Sequence, residues 1–304
     1  MRDLAHRWCV QIDITSVCGI GCIYCTRYDR HLGPSQRIHM TQETFRRALD
    51  SVHSFAGKIG IIGGEPTFHP EFLAFCEIIR QSGIPKDQFG LWTVGNTSKK
   101  YKEYQPVIAE TFGFMAYNEH NDTQKSVCKH QPLTIAIRDA VPDEVLRARL
   151  IDDCWVAREW CGTIAPWGKA FFCEVAYGQA LLRKMLDYGY PLWREDGRPW
   201  WTRRAHEYQD QVREFCDNCG MAIPQQRQTL DVHKEIVSPT VLRMLRESGL
   251  PKSGAEWVHE FHRTFTAKQL AENAETWKPG NYRDDKYGSD AAAPEPWGST
   301  VLKS

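Results

Sequence analysis

The stretch Cys18-Gly-Ile-Gly-Cys22-Ile-Tyr-Cys25 carries three cysteines in a C-x3-C-x2-C spacing. Three thiolates so close along the chain can converge on one metal centre. A [4Fe–4S] cluster normally takes four cysteine ligands, so three ligands would leave one iron open to a small molecule. Zinc is the alternative, but it prefers a fourth ligand and paired C-x2-C units, and the next cysteine is Cys76. The spacing of these three residues, here called the tripod, therefore favours an iron–sulfur site with an open iron.

Strand-like segments precede each of three short motifs. Residues 8–14 alternate and are rich in β-formers, so they predict a strand that leads into the tripod. Residues 59–66 (Ile-Gly-Ile-Ile-Gly-Gly-Glu-Pro) predict an apolar strand that ends in a GGEP motif. Residues 91–97 (Leu-Trp-Thr-Val-Gly-Asn-Thr) predict a third strand with a polar end. The two glycines would let the backbone approach a ligand closely, and the carboxylate of Glu65 can accept a hydrogen bond from an ammonium group.

The tripod, with an aromatic residue before its last cysteine, resembles that of the radical S-adenosylmethionine (SAM) enzymes. The GGEP motif resembles the family element that holds the amino group of the methionine part of SAM, and the third strand end resembles the family's T-N-G turn. The resemblance implies a SAM-binding [4Fe–4S] cluster on the tripod. The cofactor-binding residues that it implies are Tyr24, Gly63, Gly64, Glu65, Pro66, Thr93 and Asn96.

Strand-like and helix-like segments alternate over the first half of the chain. The predicted strands are residues 8–14, 58–63, 89–94, 112–118 and 133–138, and the predicted helices are 41–54, 70–82, 101–111 and 142–157. This alternation implies an α/β fold with a parallel sheet and crossover helices, which the resemblance specifies as a partial (β/α)6 TIM-like barrel. We expect a radical SAM core in residues 1–153, a smaller cysteine-rich, mainly helical domain in 154–225, and a helical extension with a poorly packed tail in 226–304.

A second group of cysteines lies in the second half. Cys161 and Cys173 stand in a C-x6-G-x4-C pattern that resembles the hairpin of the family's auxiliary-cluster domains, and Cys216 and Cys219 add a C-x2-C pair. Four such ligands would complete a second [4Fe–4S] cluster without an open iron. No cysteine follows in the sequence, which fits the one-cluster twitch domain better than the two-cluster SPASM domain. A structural zinc on the same four thiolates is the alternative.

Cys154 lies shortly before this group, near the predicted boundary between the two domains. Three roles are open to it. It could be an alternative ligand of the second cluster, a thiol that donates a hydrogen atom to a substrate radical, or a buried thiol without a function.

Composition excludes some classes of function. The formal net charge is +0 and no long basic block occurs, so binding to duplex nucleic acid is not favoured. Residues 1–20 lack a cleavable signal pattern, and no stretch of eighteen apolar residues occurs. The grouping of the cysteines fits metal ligation in a reducing compartment better than disulfide formation. We therefore expect a cytoplasmic protein that does not engage a membrane.

The resemblance implies that SAM is reductively cleaved to a 5′-deoxyadenosyl radical, which abstracts a hydrogen atom from a substrate and leads to epimerisation, oxidation or elimination. A first strand by about residue 8 leaves no room for a leader-binding domain, which favours a sugar- or nucleotide-like small molecule over a peptide. Peptide maturation, modification of a nucleic-acid base, and a non-enzymatic electron carrier or scaffold are the alternatives. An external one-electron reductant of the flavodoxin or ferredoxin type is the expected partner.

Overall fold

Four parallel strands in chain order form the centre of the molecule. The computed structural model describes residues 1–22, 24–95, 98–117, 133–224, 235–249 and 258–276. The strands are β1 (Cys9–Asp13), β2 (Lys58–Ile62), β3 (Phe89–Thr93) and β4 (Phe114–Tyr117), and each pairs in parallel with the next. Because parallel neighbours must be joined by crossovers, a helix follows each of the first three strands: α1 (Gln42–Val52), α2 (Phe72–Gln81) and α3 (Lys99–Thr111).

Helix α1 shows why these segments fold as they do. The side-chain oxygen of Thr41 accepts from the backbone N–H of Thr44 and caps the helix at its predicted start. Phe45, Ala48, Leu49 and Val52 are buried, which is the spacing of a single helical face. The ring of Phe45 stacks on that of Phe75 in α2, with 4.4 Å between their centroids.

A hairpin extends the sheet on the other side of β1. Strand β5 (Cys161–Ile164) pairs in parallel with β1, and β6 (Ala170–Phe171) pairs in antiparallel with β5. The sheet of the described residues therefore has six strands in the order β4-β3-β2-β1-β5-β6. The mixed α/β fold is confirmed. The three-domain division stays a prediction, although the main sheet runs across its first boundary.

The strand predicted at residues 133–138 is wrong. Ile137–Ala140 form a short helix, α4, instead. The backbone before it bonds to distant segments, because the carbonyl of Leu133 accepts from Gly220 N and that of Thr134 accepts from Ser238 N. This segment is buried without belonging to the sheet, and a short buried apolar run does not by itself distinguish a strand from other buried backbone.

The remaining α-helices and one π-helical turn follow α4 in the described part of the chain. They are α5 (Glu144–Asp152), a π-helical turn (Val156–Trp160), α6 (Glu174–Leu182), α7 (Gln209–Phe215), α8 (Pro239–Glu247) and α9 (Ala267–Thr276). Strands β7 (Glu235–Val237) and β8 (Val258–Glu260) pair in parallel as a second, small sheet. The poorly packed tail predicted at the end of residues 226–304 lies outside the described residues. Within the part of the chain that is described, no helix has the length and apolar character needed to cross a bilayer.

Candidate functional site

The described residues between Ile14 and Cys25, here called the tripod loop, leave the C-terminal end of β1 and run along the end of β2. Ile14 N donates to Ile62 O at 2.8 Å, Gly64 N to Thr15 O at 2.6 Å and Glu65 N to Val17 O at 2.9 Å. These bonds extend the pairing of β1 with β2 beyond the strands. The carboxyl ends of parallel strands are where α/β proteins place their ligands, so the tripod and the GGEP motif are brought to one edge.

The two glycines of the GGEP motif are required by this close pairing. A Cβ atom on Gly63 would lie 2.5 Å from Thr15 O, and one on Gly64 would lie 2.5 Å from Val17 O and 2.8 Å from Cys18 Cβ. The expected close approach is therefore present, but the partner that the structure places there is the tripod loop itself.

The tripod thiols lie in a shielded environment. Burial raises the pKa of Cys18 to about 11 and that of Cys22 to about 12, and it raises the pKa of Cys25 well above its usual value. The thiolate of Cys18 adds to the rise at Cys22, and the carboxylate of Asp29 adds to the rise at Cys25. Among the described residues, no three cysteine, histidine or acidic side chains already stand at metal-ligand geometry. The donor set nevertheless fits a cationic metal, which deprotonates the thiols that coordinate it.

Tyr24 is held by the C-terminal part of the chain. Its backbone N–H donates to Glu235 Oε1 at 3.1 Å, and its hydroxyl oxygen accepts from Ile236 N at 3.1 Å. The other carboxylate oxygen of Glu235 lies 2.7 Å from Nε2 of His31. Tyr24 is buried and has a left-handed backbone with φ of 54°. Strand β7 therefore clamps the tripod loop. The contacting residues are more than 200 positions apart, so no local motif predicts this contact.

Replacing Glu235 with glutamine should loosen this clamp, because the amide is neutral and has one acceptor oxygen for two partners. We expect a loss of about 1–3 kcal/mol in the free energy of unfolding and, in protein reconstituted with iron, faster release of that iron. Thermal unfolding and iron release to a chelator measure the two effects. Glu260→Gln, at an exposed residue of β8, is the matched control. Equal stability and equal iron release in both variants would contradict the clamp.

Glu65 joins the end of β2 to the end of β3. Its Oε1 accepts from Thr67 N at 3.1 Å and Thr67 Oγ1 at 2.6 Å, and its Oε2 accepts from Val94 N at 2.9 Å. Thr93 Oγ1 also donates to it, at 2.9 and 3.1 Å to the two oxygens. The carboxylate is fully buried, and these donors take most of its roughly four lone-pair positions. Its expected role towards an ammonium group stays a prediction, and the organisation of two strand ends is an additional role that the sequence reasoning missed.

Glu65→Gln should therefore destabilise the metal-free protein, because an amide NH2 would face a donor that now has no acceptor. The expected cost is about 1–3 kcal/mol, or a fall in Tm of roughly 2–4 °C for each kcal/mol. Thermal unfolding of the metal-free chain measures it, with the exposed Glu103→Gln in α3 as the control. An unchanged Tm would show that the carboxylate is not needed for the fold.

The other predicted cofactor residues lie nearby. Pro66 is buried and begins a 3-10 turn that Glu65 caps, and Thr93 is buried at the end of β3. Asn96 lies outside the described residues, so its predicted role is not addressed.

The second cysteine group lines a cavity with apolar walls. Its thiol residues are Cys154, Cys173, Cys216 and Cys219, and its walls include Ile151, Phe172, Phe215 and Met221. Three of the four predicted ligands are thus brought together, and Cys154 joins them. Burial is the main cause that raises the pKa of the Cys216 thiol, and the neighbouring Cys173 and Cys154 are the next causes. Four thiols that line one apolar cavity are the donor set that a metal centre needs.

Cys161 does not line this cavity, although its charge is among the causes that raise the pKa of Cys173. It stands on β5 directly opposite Cys9 on β1, is fully buried, and is not among the residues that line the cavity. Burial, followed by a side-chain hydrogen bond with Cys9, raises its pKa well above the usual value.

Three of the cavity thiols lie at the ends of helices. Cys173 caps the N-terminus of α6, and its Sγ accepts from Ala176 N at 3.3 Å. Burial, the largest cause, raises the pKa of this thiol above its usual value, and the hydrogen bond from Ala176 opposes that rise. Cys216 and Cys219 follow α7 in a 3-10 turn, and Sγ of Cys219 accepts from Met221 N at 3.4 Å. Cys219 is also tied to the buried segment before α4, because its carbonyl accepts from Ile137 N.

Comparison with known proteins gives a weak likeness. No family model matches the chain, and no curated protein matches it. Among solved structures, a selenomethionine form of BtrN in an open conformation has a TM-score of 0.34 and 14% identity over 55% of this chain and 70% of that one. BtrN in complex with AdoMet and 2-DOIA has a TM-score of 0.40 and 12% identity over 70% of this chain and 92% of that one. At such low scores neither likeness carries an argument about this chain's activity.

Proposed function

We propose that this chain is a radical SAM enzyme that carries two [4Fe–4S] clusters and oxidises a small, sugar- or nucleotide-like substrate. The observation that carries the proposal is the gathering of the cysteines into two places. The tripod lies beside the GGEP motif at the carboxyl edge of the sheet, and four other cysteines line one apolar cavity.

The tripod residues Cys18, Cys22 and Cys25 would hold the SAM-binding cluster. When bound, the cluster and SAM would supply a 5′-deoxyadenosyl radical for hydrogen abstraction. The chain's own contribution is to shape the loop: the ends of β2 and β3 support it through Glu65, and β7 supports it through Tyr24. An external one-electron reductant of the flavodoxin or ferredoxin type remains part of the proposal.

For the second cluster we propose the ligands Cys154, Cys173, Cys216 and Cys219, in place of the set with Cys161 that the sequence pattern suggested. The cavity supports this choice because Cys154 lines it and Cys161 does not. With four thiolate ligands a cluster has no open iron and can accept an electron. Cys154 would then be a ligand and not a hydrogen donor. This assignment favours oxidation over epimerisation as the outcome.

The first test is the metal content of anaerobically purified, reconstituted protein, measured together with SAM cleavage under a strong reductant. About eight irons per chain and release of 5′-deoxyadenosine would support the proposal. About four irons with one zinc would make the second site structural. Two clusters without SAM cleavage would indicate an electron carrier, and absence of iron would overturn the proposal.

The substrate requires a separate test. A loss of two hydrogens from a small molecule, seen by mass spectrometry, would support oxidation, whereas an unchanged mass would indicate epimerisation. Products formed only on a peptide or on a nucleic-acid base would favour the corresponding alternative class.

A further inference from the structure

Arg27 links the surroundings of the two cysteine groups. It follows the last tripod cysteine, Cys25, by two residues, and its Nη1 donates at 2.8 Å to Oε2 of Glu174, which directly follows Cys173. Only 6% of the Arg27 side chain and 9% of the Glu174 side chain are exposed. A buried ion pair thus connects the two chain segments that carry the candidate ligands.

The same guanidinium also binds β1. Its Nε donates to Asp13 Oδ2 at 3.0 Å and its Nη2 to Gln11 Oε1 at 2.7 Å, while Nη1 donates as well to Thr26 Oγ1 at 2.7 Å. Arginine suits this place because its planar fork presents several donors in fixed directions, which lysine does not. The side chain therefore joins the sheet, the segment after the tripod and α6 in one rigid network.

Backbone packing brings the same segments together. A Cβ atom on Gly178 in α6 would lie 2.2 Å from Thr26 O and 3.0 Å from Arg27 Cα. Helix α6, which begins after Cys173, therefore lies directly against the chain that leaves the tripod, and no side chain fits between them.

We infer that Arg27 is a positioning residue that fixes the tripod segment to the helix beginning at Cys173 and places one positive charge within electrostatic reach of both metal centres. This inference rests on the proposed function. Reduction adds a negative charge to a cluster, so a nearby positive charge stabilises the reduced form and a nearby carboxylate opposes it. Because the network is buried, solvent screens these effects weakly.

The test compares the midpoint potentials of both clusters, by EPR-monitored redox titration, in three variants of the reconstituted protein. Arg27→Met should lower both potentials and Glu174→Gln should raise both. Each change should alter the ratio of reduced to oxidised cluster about tenfold, or 59 mV for a one-electron couple. The control is Arg7→Met. Arg7 is also buried and donates to the carbonyls of Cys161 and Phe172. Its replacement should therefore lower only the midpoint potential of the second cluster.

If Arg27→Met does not fold, Glu174→Gln still tests the inference. Its amide oxygen can accept from Arg27, so this variant should fold. If Glu174→Gln shifts only the auxiliary potential, the inference is overturned while the proposed function stands. A wild-type protein without two cluster signals overturns both.

A second readout needs no cluster. In the metal-free protein, alkylation of Cys25 should be several-fold faster in Arg27→Met than in wild type and unchanged in Arg7→Met. Equal rates at Cys25 in all three would show that the ion pair does not position the tripod segment.

Discussion

Under the proposed function, replacing any one of the tripod cysteines with alanine abolishes SAM cleavage and reduces the bound iron by about half. The physical reason is that a cluster normally takes four ligands and the tripod supplies only three, so a further loss leaves two. The remaining thiols cannot compensate, because the loop is held along β2 and by β7. The second site should keep its metal, since its candidate ligands lie on other elements.

The measurement is iron, sulfide and 5′-deoxyadenosine for Cys18→Ala, Cys22→Ala and Cys25→Ala. Cys76→Ala is the matched control, because Cys76 is a buried thiol of α2 whose pKa burial raises to about 12. We expect this control to lose some stability through lost packing and to keep its iron and its SAM cleavage. Turnover retained in any tripod variant would refute the assignment of that residue.

Cys154→Ala and Cys161→Ala should differ sharply, although the two residues are close in sequence. The first change removes a thiol that lines the four-cysteine cavity, so we expect loss of the second cluster and of about four irons per chain. The second removes a thiol that faces Cys9 between two strands, so we expect normal iron and a cost of about 1–3 kcal/mol from the altered core.

Iron content and the EPR signal of the second cluster decide between the two residues. The reverse result, with iron lost only in Cys161→Ala, would restore the set that the sequence pattern suggested. Full iron in Cys154→Ala together with a changed product would instead favour its role as a hydrogen donor.

Some features could be predicted from the sequence because they depend on neighbours along the chain. The first three strands, the helices between them and the cap at Thr41 follow from local periodicity and hydrogen-bonding capacity. The strand predicted at 133–138 was wrong because the structure of this segment depends on contacts that are distant along the chain. Its apolar residues indicate burial. The segments at Gly220 and Ser238 contact it.

The tripod, the GGEP motif and the alternation of strands and helices could be predicted from the sequence alone, because ligand spacing and periodicity are local properties. Which cysteines lie together depends on the packing of elements that are distant along the chain. Cys154 reaches the cavity because α5 and α7 lie close together there, whereas the pairing of β5 with β1 turns Cys161 towards Cys9. The same holds for Glu235 and Arg27, whose partners are far away along the chain. A single side chain carries no sign of a distant partner, since the free energy of such a contact depends on packing that exists only in the folded chain.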